Sequence, residues 1–201
     1  MGQLSNTQVT FWRESFGLTV FIETGTHRGA TTKQMLAHPF EQIHSIEIDQ
    51  RHHSHAKQVV GDDPRLTLHL GNSPDVLERI LLGIEGNILF WLDAHHPGQF
   101  LSDWNKRPID EKSWPTYDEL RVIARLRGGC RDVIVVDDYK CFLPDRVAKH
   151  ANHPTGAAPM VLAPLVDELF PSHRRDEELK TKDGTLYLFP ETINERPRNP
   201  R

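Results

Sequence analysis

Three carboxylates and two imidazoles fall where chemistry is possible. Asp93 follows directly on the apolar run Asn87-Ile88-Leu89-Phe90-Trp91-Leu92, and Asp137-Asp138 follow directly on Val133-Ile134-Val135-Val136. Runs of that kind, apolar without alternation, read as central parallel strands. Neighbouring strands lie about 4.8 Å apart, so acids at their carboxyl ends can converge on one point. Three packed carboxylates repel one another and hold their protons more tightly unless a cation compensates. Hard oxygen donors in that number suit Mg²⁺, Mn²⁺ or Ca²⁺ better than zinc. An Asp-Asp pair alone also caps turns, and Asp93 on a second strand is what favours the cation. His95 and His96 come next. An imidazole with an ordinary pKa near ~6.5 can take a proton from a substrate hydroxyl at neutral pH, although either ring can also simply cap the strand.

A second stretch, Val20-Phe-Ile-Glu-Thr-Gly-Thr-His-Arg-Gly-Ala-Thr-Thr32, has a different chemistry. An apolar β run ends at Glu23 and turns through Gly25 and Gly29, with Thr31 and Thr32 expected as the N-cap of a following helix. A strand turning through glycines into a helix brings backbone N–H groups against a ligand and suits a nucleotide-like cofactor. The three-glycine dinucleotide fingerprint is absent, because His27 stands in its middle place. Glu47 closes the next strand about 20 residues beyond the glycines, where a carboxylate can accept from ribose hydroxyls.

The elements that must position these groups follow from periodicity. Strands are expected at 20–24, 43–49, 65–70, 87–92 and 133–136, with helices near 4–16, 31–38, 50–60, 75–82, 117–126 and 161–170. A hairpin on Asp183-Gly184 should join Glu178–Thr181 to Thr185–Phe189. The expected fold is one α/β domain over residues 1–190: a Rossmann-like, open, mostly parallel seven-stranded sheet closed by an antiparallel C-terminal hairpin. Residues 98–116, carrying Trp104 and Trp114, lack a period and read as an active-site lid; 191–201 read as a flexible tail.

Composition narrows the partners. Lys and Arg number 24 against 28 Asp and Glu, for a net charge of −4, so no basic field favours nucleic acid or anionic lipid. No apolar run reaches the roughly 20 residues of a membrane span, and the N-terminus lacks a signal-peptide pattern. Cys130 and Cys141 flank one strand as reduced thiols, and a cytoplasmic location is expected. The cluster Arg51-His52-His53-Ser54-His55 reads as a solvated first helical turn, since it lacks the spacing of a known metal site. Phe11, Trp12 and Phe16 are the surface expected for any homodimer.

Taken in order, Glu23-Thr24-Gly25, Ser45-Ile46-Glu47, Gly71-Asn72-Ser73, Leu92-Asp93-Ala94-His95-His96 and Val136-Asp137-Asp138-Tyr139 resemble the motifs of class I S-adenosylmethionine-dependent methyltransferases of the metal-dependent O-methyltransferase type. The pattern is similar to catechol O-methyltransferase and macrocin O-methyltransferase-like enzymes over roughly residues 18–140. The resemblance implies that Glu23, Thr24, Gly25 and Thr26 lie along the methionine part of the cofactor. Glu47 would hold its ribose, Asn72 and Ser73 would border adenine, and Ile48 and Asp93 would also line the cofactor site. Asp93, Asp137 and Asp138 would bind a divalent metal, Mg²⁺ foremost, and His96 or else His95 would be the base. The implied reaction is methyl transfer to a hydroxyl of a small molecule such as a sugar, polyol, natural product or catechol. The excursion after His96 is longer than the family's usual turn. Two other readings stay open: a metal-dependent hydrolase, against which the missing Walker lysine after Gly29 counts, and a non-catalytic cofactor-binding module on the same fold.

Overall fold

The structure, a computed structural model, describes residues 4–94, 114–150 and 160–191. His95, His96, Trp104, nearly all of the expected lid and the tail beyond Glu191 lie outside the described residues.

Among the described residues seven strands form one sheet: β1 (Leu18–Thr24), β2 (Gln42–Glu47), β3 (Leu66–Leu70), β4 (Asn87–Leu92), β5 (Val133–Val136), β6 (His173–Glu178) and β7 (Thr185–Pro190). Their order across the sheet is β3-β2-β1-β4-β5-β7-β6. The first five run parallel, and β7 lies antiparallel between β5 and β6. The apolar runs of β1, β4 and β5 occupy the middle because both of their faces are covered. The all-polar β6, HRRDEE, takes an edge. Charged edges of this kind discourage unplanned strand pairing.

Helices cover the two faces. The first face receives α4 (Ser73–Leu81), α5 (Thr116–Arg127) and α7 (Ala163–Leu169) against Ile22, Phe90, Leu92 and Val136. The second receives α1 (Asn6–Phe16) and α2 (Ala30–Met35) against Phe21, Ile43, Trp91 and Val135. Between β2 and β3 runs α3 (Gln50–Val60), and α6 (Pro144–His150) follows a 3₁₀ turn at Tyr139–Phe142. A capping box starts α1: the Ser5 side chain accepts from Gln8 N–H while the Gln8 side chain accepts from Ser5 N–H. Trp12 and Phe16 are buried in the chain's own core, Trp12 with its ring 5.5 Å from those of Tyr187 and Phe189, and Phe16 stacked on Phe189. Of the three aromatic residues expected at a dimer surface, Trp12 and Phe16 thus lie in the chain's own core and Phe11 is partly buried against it.

One buried ion pair sets where β4 begins. Arg127 at the end of α5 holds Asp132 through two nitrogens, at 2.9 and 2.8 Å, and donates as well to the carbonyls of Ile84 and Gly86. Asp132 accepts from Ile88 N–H at 2.8 Å. Both charges are satisfied, which a buried pair requires.

Three boundaries differ from expectation. Gly29, not Thr31 or Thr32, is the N-cap of α2, because the two threonines turn inward to a buried carboxylate. The hairpin's first strand is His173–Glu178, earlier than expected, with residues 179–184 as its loop. Its charged composition gives no apolar alternation to read. The segment after Phe142, where periodicity gives no helix before 161, contains α6. Trp114 packs edge-on against Phe142, their ring centres 5.7 Å apart, and so anchors the start of α5.

Candidate functional site

Successive strands are tied to one another at their carboxyl ends. Gly25 and Thr26 both donate backbone N–H to Ile46 O, at 2.9 and 3.2 Å; Gly71 donates to Glu47 O, Asp93 to Thr24 O and Asp137 to Leu92 O. The rim of β3-β2-β1-β4-β5 is thus one continuous backbone ledge. Gly25 is indispensable there: its φ is +83°, and a Cβ would sit 2.6 Å from the Asp93 carbonyl oxygen. Gly29 at φ +78° permits the close approach of α2 to Ala56 and Val60 of α3.

Glu23 ends up enclosed. It is 1% exposed, and its Oε2 accepts from the hydroxyls of Thr32 and of Ser45, the latter at 2.7 Å. Thr26 Oγ1 lies 2.6 Å from Ser45 Oγ, extending the hydroxyl chain to the glycine turn. Burial pushes the Glu23 carboxyl up to about 7, the hydroxyls of Thr32, Ser45 and Thr31 pull it back, and the Glu47 charge adds to the rise. Glu23 thus braces the turn from beneath. Thr24 and Thr26 are buried as well.

Glu47 is at the rim. Its Oε2 accepts from His27 N–H at 2.7 Å and its Oε1 from Asp49 N–H at 2.8 Å, leaving each oxygen a further lone pair. His27, at φ 49°, brings its backbone to Glu47 while its ring meets His52 edge-on at 4.6 Å. Burial, followed by the charges of His52, Arg28 and His55, holds the His27 imidazole below its ordinary pKa. Asp49, the other acid at this strand end, caps α3 by accepting from Arg51 and His52 N–H. The His52-His53-His55 cluster lies on the first two turns of α3, with His55 exposed and His52 and His53 half-buried, less solvated than expected. Ile48 is half exposed beside Glu47 despite being apolar. Asn72 stands at the N-cap position of α4, where its side-chain amide donates to Asp75 Oδ2 at 3.0 Å, and Ser73 is buried next to it. A cleft of about 480 Å³ opens there between α4 and α5, bordered by Asn72, Asp75, Asp118, Arg121 and Arg125.

The aspartates are adjacent but not gathered. Leu92 and Val136 are partners in register, so Asp93 and Asp137, one residue further on, stand at neighbouring strand ends on the same face. Asp137 is buried, whereas Asp138 adopts a left-handed conformation at φ 51° and opens the 3₁₀ turn. Among the described residues, no three His, Cys, Asp or Glu side chains stand together around a point that could hold a metal ion. The expected three-carboxylate cage is not assembled here; the adjacency of Asp93 and Asp137 fits Mg²⁺ of the kind held by one or two carboxylates with solvent.

Sequence reading missed the hydroxyl chain of Thr26, Thr32 and Ser45 and the part played by the His27 backbone. Its signal was present: Ser45 lies two residues before Glu47 and shares its face.

No family model matches the chain. The ribosomal RNA small subunit methyltransferase A of Synechococcus sp. (strain CC9902) is 34% identical to it over 107 residues, 52% of this chain and 38% of that protein. The matched stretch therefore spans well under half of that relative. Among solved structures, the SAH-bound methyltransferase PaMTH1 of Podospora anserina aligns with a TM-score of 0.59 at 15% identity, covering 94% of this chain and 80% of that one. An O-methyltransferase from Bacillus cereus in complex with SAH gives 0.60 at 16% identity, over 94% and 83%. The N-methyltransferase NodS from Bradyrhizobium japonicum WM9 gives 0.54 at 12%, over 92% and 94%. The chain has the class I methyltransferase fold, shared by O- and N-methyltransferases alike.

Proposed function

We propose that this protein transfers a methyl group from S-adenosylmethionine to a hydroxyl of a small molecule. The observation that carries the reading is the ledge itself. A positive-φ glycine turn, a rim carboxylate with spare lone pairs and an exposed apolar side chain lie side by side at the strand ends, on a fold whose neighbours include SAH-bound enzymes. Glu47 accepts the ribose hydroxyls, Ile48 and Asn72 flank the adenine, and the Gly25 turn carries the methionine end. Glu23 holds that turn in place through Thr32, Ser45 and Thr26.

For the acceptor, the net charge of −4 favours a small neutral molecule over a polyanion. His96, or His95 in its place, takes the hydroxyl proton. Asp93 and Asp137, adjacent at neighbouring strand ends, are the proposed seat of a divalent cation. When bound, such an ion lowers the pKa of a coordinated hydroxyl and orients it.

The test is calorimetric titration with S-adenosylmethionine and S-adenosylhomocysteine, followed by methyl-transfer assays on vicinal diols, sugars and catechols with Mg²⁺ or with EDTA. Saturable binding of both ligands and EDTA-sensitive turnover are expected. Binding of neither ligand would remove the cofactor assignment, and full turnover in EDTA would remove the cation.

A further inference from the structure

The sheet face opposite Glu23 carries a pair of imidazoles that methyl transfer does not use. His44 of β2 is in register with Thr67 of β3, and Ile46 with His69, so His44 and His69 share a face and meet along the diagonal. His44 Nδ1 and His69 Nε2 are 3.1 Å apart, with ring centres 5.3 Å apart and the rings tilted by 31°. Both side chains are half-buried near the β3 edge of the sheet. A contact between two ring nitrogens at this distance needs a lone pair on one of them, so the two rings are not both cationic. The other nitrogen of His44, Nε2, lies 3.3 Å from Gln42 Oε1. That acceptor keeps the His44 proton on Nε2 and turns the Nδ1 lone pair toward His69.

We propose that His44 and His69 form a two-imidazole site for a divalent transition cation of the Ni²⁺ or Cu²⁺ class, with solvent completing the coordination. With metal–nitrogen bonds of about 2.1 Å, a 3.1 Å separation corresponds to an N–metal–N angle of about 95°. That is the cis angle of octahedral or square-planar coordination and is narrower than a tetrahedral one, which places Ni²⁺ and Cu²⁺ ahead of Zn²⁺. Gln42 then acts as the outer partner that orients a ligating histidine. Loading moves the His69 proton from Nε2 to Nδ1 and releases none. The ion would pin β2 to β3, the two strands that end at Glu47 and at the Gly71-Asn72 turn.

The experiment is titration of tag-free, chelator-stripped protein with NiCl₂ alone, read by calorimetry. One equivalent is expected to bind. His44→Gln and His69→Gln should each lose that binding, Gln42→Leu should weaken it by about tenfold, and His55→Gln on α3 should leave it unchanged. Absence of binding to the wild type, or wild-type affinity in both His44→Gln and His69→Gln, would overturn the site. Electron paramagnetic resonance of Cu²⁺ added to the wild-type protein gives a reading that needs no variant. Coupling to two imidazole nitrogens supports the site, and a spectrum with oxygen donors only overturns it. Asp137→Ala should leave Ni²⁺ binding intact, so this proposal stands or falls apart from the methyltransferase reading.

Discussion

Replacing Glu23 by Gln tests the enclosed carboxyl under the glycine turn. Two effects oppose each other there: burial favours the neutral acid, and the hydroxyls of Thr32, Ser45 and Thr31 favour the carboxylate. Burial wins, taking the group from 4.5 to about 7. A folded-state pKa above the unfolded value means that the native protein holds this proton more tightly. Its stabilising effect is complete below pH 4.5 and is lost as the pH rises through about 7. At about 1.4 kcal/mol per tenfold change, ionisation costs the native state on the order of 3 kcal/mol by pH 8, most of it between pH 5 and pH 8. Glutamine has the same shape, keeps an acceptor oxygen for the hydroxyls and does not titrate. Urea unfolding of both proteins at pH 5, 6, 7 and 8 should therefore show the variant gaining about 2–3 kcal/mol on the wild type across the series. Taking the difference between the two proteins cancels the titrating groups that do not interact with Glu23. Parallel stability curves would refute the reasoning, and a variant that loses ground as pH rises would show that the hydroxyls outweigh burial.

Other perturbations follow from the same geometry. Gly25→Ala forces a Cβ against the Asp93 carbonyl at a positive φ and should cost at least about 1–2 kcal/mol, together with the thermal shift produced by S-adenosylmethionine. Asp132→Ala leaves the Arg127 guanidinium buried without its carboxylate and should lower stability by about 3–5 kcal/mol, read from the urea midpoint. Asp137→Ala should abolish methyl transfer while calorimetry still detects cofactor binding; full activity in that variant would remove the aspartates from the chemistry.

Much of this architecture is legible along the chain. The limits of β4 and β5 coincide with the apolar runs 87–92 and 133–136, because strands buried on both faces must be apolar throughout. Likewise α3 spans 50–60 and ends at Gly61, as periodicity and the glycine indicate. The two-glycine turn, Glu47 and the strand-end aspartates are visible because chemistry at a parallel sheet sits where apolar runs stop. Such signals are local, carried by neighbouring residue types. What depends on contact between distant segments was decided only in three dimensions. Glu23 is a brace because β2 places Ser45, and α2 places Thr32, against the same carboxylate oxygen. Trp12 and Phe16 are core residues because β7 brings Tyr187 and Phe189 beneath α1. The charged segment His173–Glu178 becomes a strand only because β7 offers it backbone partners at the sheet edge. In the same way His44 and His69, far apart in the chain and unremarked in sequence, meet only because β2 and β3 pair in a register that sets them diagonally on one face.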